Sequence, residues 1–503
     1  MTDLSQLSTK NKAHHHVLIA ALASLGVGLA ILNPLHPLLI VVVAILPIGA
    51  VIAFKNLFYL CLGFVVFSFF RIHEVFPFLM PFRIPILLAL PTLGVLCWQL
   101  FCAKSLKPFW NRDLTAFAVF FGLVTLGLAL AMNRSLAFSY YTATYIKIGI
   151  MVLAIAWIVR KPEDFATACR VFVIAGIAVA LVTISRKLQG IGLVEGSRVT
   201  IGRDYGSVLG DPNDLSLVLL FPLSFATALA IIRPTKLDRL LGIVATLCIC
   251  WAIVATQSRG GLLGIVSVLG IGGTRVIKNK FVLAGIGAVG LAALMVMAGI
   301  ADRQSGGAAE SGIDESAMGR IYAWQAAVNM ALARPLNGVG LDNFVANYFY
   351  FTPHWTGMAK AVHSTWLGVL GETGFPGLIA FVTMVVLMVL TNRESSRILD
   401  AHNAPASTRA TALALIGGIT GFCISGTFLT QGFTWPIYIL LSLTVALSRY
   451  AKELEPPAIQ GASPDASQVE DSPFAHRLRA RSPRSRPRVK VLEGTNDNNR
   501  MGR

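Results

Sequence analysis

Residues 211–232 read DPNDLSLVLLFPLSFATALAII. Asp211, Pro212 and Asn213 are residue types that open and cap a helix, and after Asp214 no charged side chain interrupts the apolar run. About 20 such residues, rising 1.5 Å each, cross the hydrocarbon core of a bilayer. Asp211 and Asn213 are also conceivable metal ligands, but capping is the simpler account of Asp, Pro and Asn at a helix start.

The pattern recurs on both sides. Apolar stretches of near-spanning length lie near 17–33, 37–54, 56–70, 84–102, 114–132, 142–159, 165–185, 239–257, 260–274, 281–300, 364–391, 410–428 and 433–448. The 503-residue chain is 55% hydrophobic and only 13% charged, with a mean hydropathy of +0.68. A soluble globular domain of this length is excluded. The expected fold is all-α, a polytopic transmembrane helical bundle of about 12–14 spans with a large, partly helical loop on the non-cytoplasmic side.

Orientation follows from Lys and Arg, which resist translocation. If the spans alternate, Lys55, Lys104, Lys107, Arg112, Arg160, Lys161, Arg233, Lys236, Arg275, Lys278, Arg393 and Arg397 share one side, which becomes the cytoplasmic one. Both termini are then cytoplasmic. The other side holds Arg198, Arg203, Arg259, Arg303, Arg320 and Arg334 in or beside its longer loops. Those outward arginines ask for an anionic ligand. The net charge of +17 suits an anionic inner leaflet better than nucleic acid.

The seven cysteines lie within or at the edge of apolar segments and read as small core residues rather than a disulfide or zinc framework. His14, His15 and His16 precede the first span as an interfacial polar cluster. Beyond about Tyr450 the chain turns polar and rich in Pro, Ser and Arg, with Arg477 to Lys490 strongly basic, as in a disordered cytoplasmic tail. The domain plan is therefore 1–190, N-terminal spans; 191–395, a central region including the loop 302–363; 396–450, C-terminal spans; and 451–503, the basic tail.

Within the loop 302–363, Ile321, Trp324, Val328 and Leu332 recur at helical spacing. The spacing predicts an amphipathic helix on the membrane surface. Tyr348, Tyr350, Trp355 and Trp366 offer faces for sugar rings, although interfacial aromatics are common without ligands.

His363 re-enters the apolar series in AVHSTWLGVLGETGFPG, residues 361–377. Taken alone it reads as a satisfied interfacial histidine. Its neighbourhood changes that reading: a short helical stretch from Ser364 to Gly371 is broken at Gly374, Pro376 and Gly377 before the long span resumes. Broken helices at membrane level line cavities, because unpaired backbone groups cannot face lipid. An imidazole there is a candidate general base. Arg259, in QSRGGLLG, opens a span directly after another. It either snorkels or clamps phosphate, and Arg203 and Arg320 can join it from the two loops. Glu372 orients a partner or plays a structural role.

These residues form a pattern. Over roughly 195–395 the chain resembles the O-antigen ligase and O-antigen polymerase family, through Ser258-Arg259-Gly260-Gly261, Gly319-Arg320 with Trp324, Gly338-Val339-Gly340, His363 ahead of Glu372 and Gly374, and Asp211-Pro212-Asn213 before a span. Ser364 stands where many relatives carry Asn. The resemblance implies transfer of a glycan from an undecaprenyl diphosphate carrier to an acceptor hydroxyl, lipid A-core or another glycan, at the periplasmic face of the bacterial inner membrane. It implies His363 as the base, Arg203, Arg259 and Arg320 holding the diphosphate, Glu372 and Trp324 as orienting residues, no metal or other cofactor, and inversion at the anomeric carbon. A polymerase or a protein O-glycosylating enzyme of the same family is an alternative. A lipid-linked glycan transporter is another, although transporters rarely need a structured external loop bearing a base.

Overall fold

The computed structural model describes residues 56–299, 315–355 and 357–455. The spans expected near 17–33 and 37–54, the histidines 14–16, Arg303 and the basic tail lie outside the described residues.

The described chain is a helical bundle with one two-stranded ribbon. The main helices are α1 (Leu57–Phe69), α2 (Ile84–Cys102), α3 (Arg112–Leu130), α4 (Arg134–Ile158), α5 (Pro162–Gln189), α6 (Pro212–Ile232), α7 (Lys236–Ala255), α8 (Arg259–Gly273), α9 (Lys280–Met297), α10 (Glu315–Ala333), α11 (Phe344–Phe351), α12 (Thr365–Ala401), α13 (Ala406–Gly426) and α14 (Trp435–Leu454). Nine helices among the described residues are long and apolar enough to cross a membrane, and α1 and α8 are shorter apolar helices. Each span expected within the described residues has its helix.

The fold is organised around α6. The Asp211 carboxylate caps it, Oδ1 accepting from the amides of Asn213 (2.7 Å) and Asp214 (3.2 Å), and Pro212 occupies the first turn. The apolar residues of α6 surround its whole circumference, so it buries 83% of its spanning window against α5, α7, α8 and α13. At the other extreme, α9 buries none of its window among the described residues and packs mainly on α8.

Two sets of loops mark the two ends of the bundle. At one end Ser207 bonds Glu74, Asn133 bonds Asn343, Arg198 bonds Thr256 and Gln431 bonds Asp214. At the other, Arg112 meets Glu394 (2.8 Å), Arg170 meets Asp238 (2.7 Å) and Arg275 meets Asp400 (3.1 Å). Among the described residues Arg112 and Arg275, which the sequence placed on one side, thus share one end of the bundle. One expectation is corrected: among the described residues Cys97 and Cys102 are exposed on α2, Cys248, Cys250 and Cys423 are half-buried, and only Cys61 and Cys169 are buried core residues.

Candidate active site

The break in α12 sets up the site. Gly374 adopts φ 69°, ψ −170° inside the helix, and Pro376 follows. A break frees backbone groups that lipid cannot satisfy. Here the segment after α10 satisfies them: Val339 N–H donates to Gly371 O (2.9 Å), Gly340 N–H to Glu372 O (3.0 Å), and Phe375 N–H to Pro335 O (2.9 Å). Gly338 holds φ 58°, and a Cβ there would stand 2.4 Å from Gly371 O. A Cβ on Gly374 would meet Pro335 O at the same distance. The Gly338-Val339-Gly340 motif is thus the backbone plug of a broken span.

Glu372 locks that plug. Its buried carboxylate accepts from Asp342 N–H (3.0 Å) and Phe344 N–H (3.2 Å), which fixes the start of α11. Arg334, read from sequence as a seeker of anions, instead donates to the carbonyls of Gly338 (2.9 Å) and Leu130 (2.5 Å). The two residues hold the external helices on the bundle.

The expected amphipathic helix is α10, but its packed face differs from the predicted stripe. Ala323, Ala326, Ala327 and Met330 are fully buried, in a small core with Val339, Phe344, Tyr348 and Val362, while Ile321, Val328 and Leu332 stay exposed. Small residues win that face because α10 crosses α12 closely, Ala327 lying 3.4 Å from the place a Gly371 Cβ would take. Trp324 is half-buried at the edge of this core, and its buried indole N–H makes no hydrogen bond among the described residues.

At the N-terminal end of α10 an open cavity of about 420 Å³ is lined by Glu195, Arg198, Asp211, Asn213, Gly319, Arg320, Ala359, Lys360, Ala361 and His363. Four elements contribute. The ribbon Leu193–Val194 and Arg198–Val199 pairs antiparallel, Val194 opposite Arg198, around a turn with Glu195 and Gly196 at positive φ. Arg198 is only 3% exposed. A buried guanidinium requires partners, and it has them: Asn213 Oδ1 (2.8 Å), Thr256 O (3.1 Å) and Glu195 Oε1 (3.5 Å). Arg198 therefore ties the ribbon to the start of α6 and the end of α7. Lys360 lies across Gly319, where a Cβ would come within 2.7 Å of its Nζ. Glycine before Arg320 leaves room for a second cation.

His363 sits on the same cavity at φ 46°, its N–H donating to Thr430 Oγ1 (3.1 Å). Fully buried Val362 precedes it, and Ser364 follows as the N-cap of α12, accepting from Leu367 N–H (3.4 Å). Anchored on both sides, the residue is held in the left-handed conformation that non-glycine residues seldom adopt. Burial lowers the imidazole pKa below its ordinary value, the positive charge of Arg320 lowers it further, and Asp211 opposes both. A neutral imidazole at neutral pH is the form a base needs.

Of the residues singled out from sequence, His363 and Arg320 share the cavity. Arg203 and Arg259 do not line it and are exposed: the Arg203 backbone packs against Gly210, just before Asp211, and Arg259 opens α8 after the turn that Arg198 grips. Glu372 and Trp324 do not line it either. Sequence reasoning missed Lys360 and Glu195, and named Arg198 only for its side of the membrane. Asp211 caps as expected and also faces the cavity. Among the aromatics, Tyr348 is buried in the small core and Trp366 donates to Thr427 (3.1 Å), whereas Tyr350 and Trp355 remain exposed.

The chain carries an O-antigen ligase region, matched over residues 244–382. That stretch runs from α7 to the first part of α12, and so includes Arg259, Arg320, the plug and His363. The match supports a multi-pass membrane glycosyltransferase of the O-antigen ligase or polymerase type, a family that works on lipid-linked glycans and their acceptors. No curated protein matches the chain.

Proposed function

We propose that this O-antigen ligase-like protein transfers a glycan from undecaprenyl diphosphate to an acceptor hydroxyl, with lipid A-core as the acceptor, at the periplasmic face of a bacterial inner membrane. The observation that carries the reading is the cavity itself: an imidazole facing two guanidiniums and an ammonium, His363 with Arg198, Arg320 and Lys360. Diphosphate is a good leaving group, and its developing charge is what must be stabilised. Arg320 brings a planar fork that matches phosphate oxygens, Lys360 adds a point charge, and Arg198, whose nitrogens are engaged by Asn213, Thr256 and Glu195, adds only its positive charge behind them. Arg203 and Arg259, exposed and outside the lining, are the further cations this reading assigns to the diphosphate.

The acceptor hydroxyl gives its proton to neutral His363 as its oxygen attacks the anomeric carbon. The bond to the diphosphate oxygen breaks with both electrons leaving on phosphate, and the proton passes from the imidazolium to water. A single displacement inverts the anomeric centre. These cations balance the leaving group's charge, so the route calls for no metal.

The test is glycan display in cells deleted for their own copy and complemented with wild type, His363→Ala or Arg320→Ala at matched expression. Polysaccharide left on its carrier in both variants supports ligase chemistry. Collapse of a chain-length ladder to one repeat unit assigns the polymerase reaction instead. Wild-type display with His363→Ala removes the catalytic assignment and favours a transport role.

A further inference from the structure

We propose that Asp211 is a positioning residue for His363, capping α6 with one carboxylate oxygen while its negative charge steadies the imidazole across the cavity. The inference rests on His363 being the base. The helix cap by itself does not require a charge. Oδ1 alone takes both amides, Asn213 at 2.7 Å and Asp214 at 3.2 Å, and Ser or Asn caps a helix equally well.

The surroundings of His363 supply the need for the charge. From α10 it faces Arg320, from its own loop Lys360, and from the ribbon Arg198 and Glu195. The 427–434 turn beneath it has no titratable side chain, and its Gln431 bonds Asp214 (2.7 Å) at the start of α6. Three cations thus stand around a group that must itself become a cation when it takes the acceptor's proton. Glu195 is exposed and engaged with Arg198 at 3.5 Å. Asp211 is the remaining carboxylate on the cavity lining, on the element opposite α10. Its charge acts on the imidazole in the sense required, opposing Arg320 and favouring the protonated form. Without it, proton uptake by His363 loses the carboxylate that opposes Arg320.

The experiment is a pH titration by NMR of the full chain in nanodiscs, with histidine ring carbons labelled and the His363 signal assigned by its loss in His363→Gln. Asp211→Asn and Asp211→Ser both keep a capping oxygen and remove the charge. The expected result is a His363 midpoint lower by about 0.5–1 pH unit in both variants. The acid limb of glycan transfer, followed in membranes of the source organism that contain donor and acceptor, moves down with it, and the plateau rate falls about threefold as the base weakens. A purely structural cap would leave both limb and midpoint in place. Midpoints equal to wild type in both variants overturn the proposal, even if transfer is abolished by His363→Gln. Wild-type transfer by His363→Gln, with the midpoint shift present, removes the catalytic reading and leaves the electrostatic coupling standing.

Discussion

Replacing Glu372 with alanine tests whether the broken span and its plug position the site. The side chain accepts two bonds from backbone amides, at 3.0 Å from Asp342 and 3.2 Å from Phe344, and its residue is 7% exposed. Such bonds contribute about 0.5–1.5 kcal/mol each, and a buried N–H left without an acceptor costs about 1–3 kcal/mol. The two amides fare differently once the carboxylate is gone. Asp342 is exposed, so its N–H regains water; Phe344 is 3% exposed, so its N–H stays buried without an acceptor. The summed cost is about 2–4 kcal/mol for Glu372→Ala. Glu372→Gln keeps one acceptor oxygen and turns an amide toward the other N–H, which leaves about half of that cost. Hydrogen exchange in nanodiscs reads the effect directly. Amides 339–344 should lose protection in the order wild type, Gln, Ala, while α6 and α13 keep theirs. Glycan transfer should fall in the same order although Glu372 does not line the cavity, because the plug holds α10 and with it Arg320. Unchanged protection of residues 342–344 in Glu372→Ala would refute the reasoning.

The same geometry sets other outcomes. His363→Ala should reduce transfer by about 10²- to 10⁴-fold. In wild type the rate should fall as pH drops through a midpoint below the ordinary histidine value, because burial and Arg320 disfavour the imidazolium and only the neutral ring accepts a proton; a pH-rate profile in membranes checks the sign. Arg320→Ala should lower transfer more than Arg203→Ala or Arg259→Ala, since only Arg320 of the three lines the cavity, and parallel complementation ranks them. Gly338→Ala should destabilise the external helices by about 2 kcal/mol or more, through φ 58° and a Cβ 2.4 Å from Gly371 O, read as increased protease sensitivity of the α10–α11 region.

Much of the architecture was legible from residue order. Apolar runs of about 20 residues become helices because a bilayer leaves the backbone no other partner than itself. The caps at Asp211 and Ser364 and the interruption at Gly374 and Pro376 are local events, dictated by side-chain oxygens and by glycine's and proline's backbone preferences, so the sequence by itself determined them. It also determined His363 as a candidate, through its place between a polar loop and a broken span.

Tertiary structure decided which charged groups join it. Arg198, Lys360 and Asp211 lie 165, 3 and 152 positions from His363 along the chain, yet all line one cavity. No local periodicity encodes that meeting, because it depends on how α6, α10 and α12 pack. The same holds for α10, whose large apolar residues form the more hydrophobic stripe, while its alanines take the buried face. Close approach of two backbones rewards small side chains over greasy ones, and only the partner helix determines where that approach occurs.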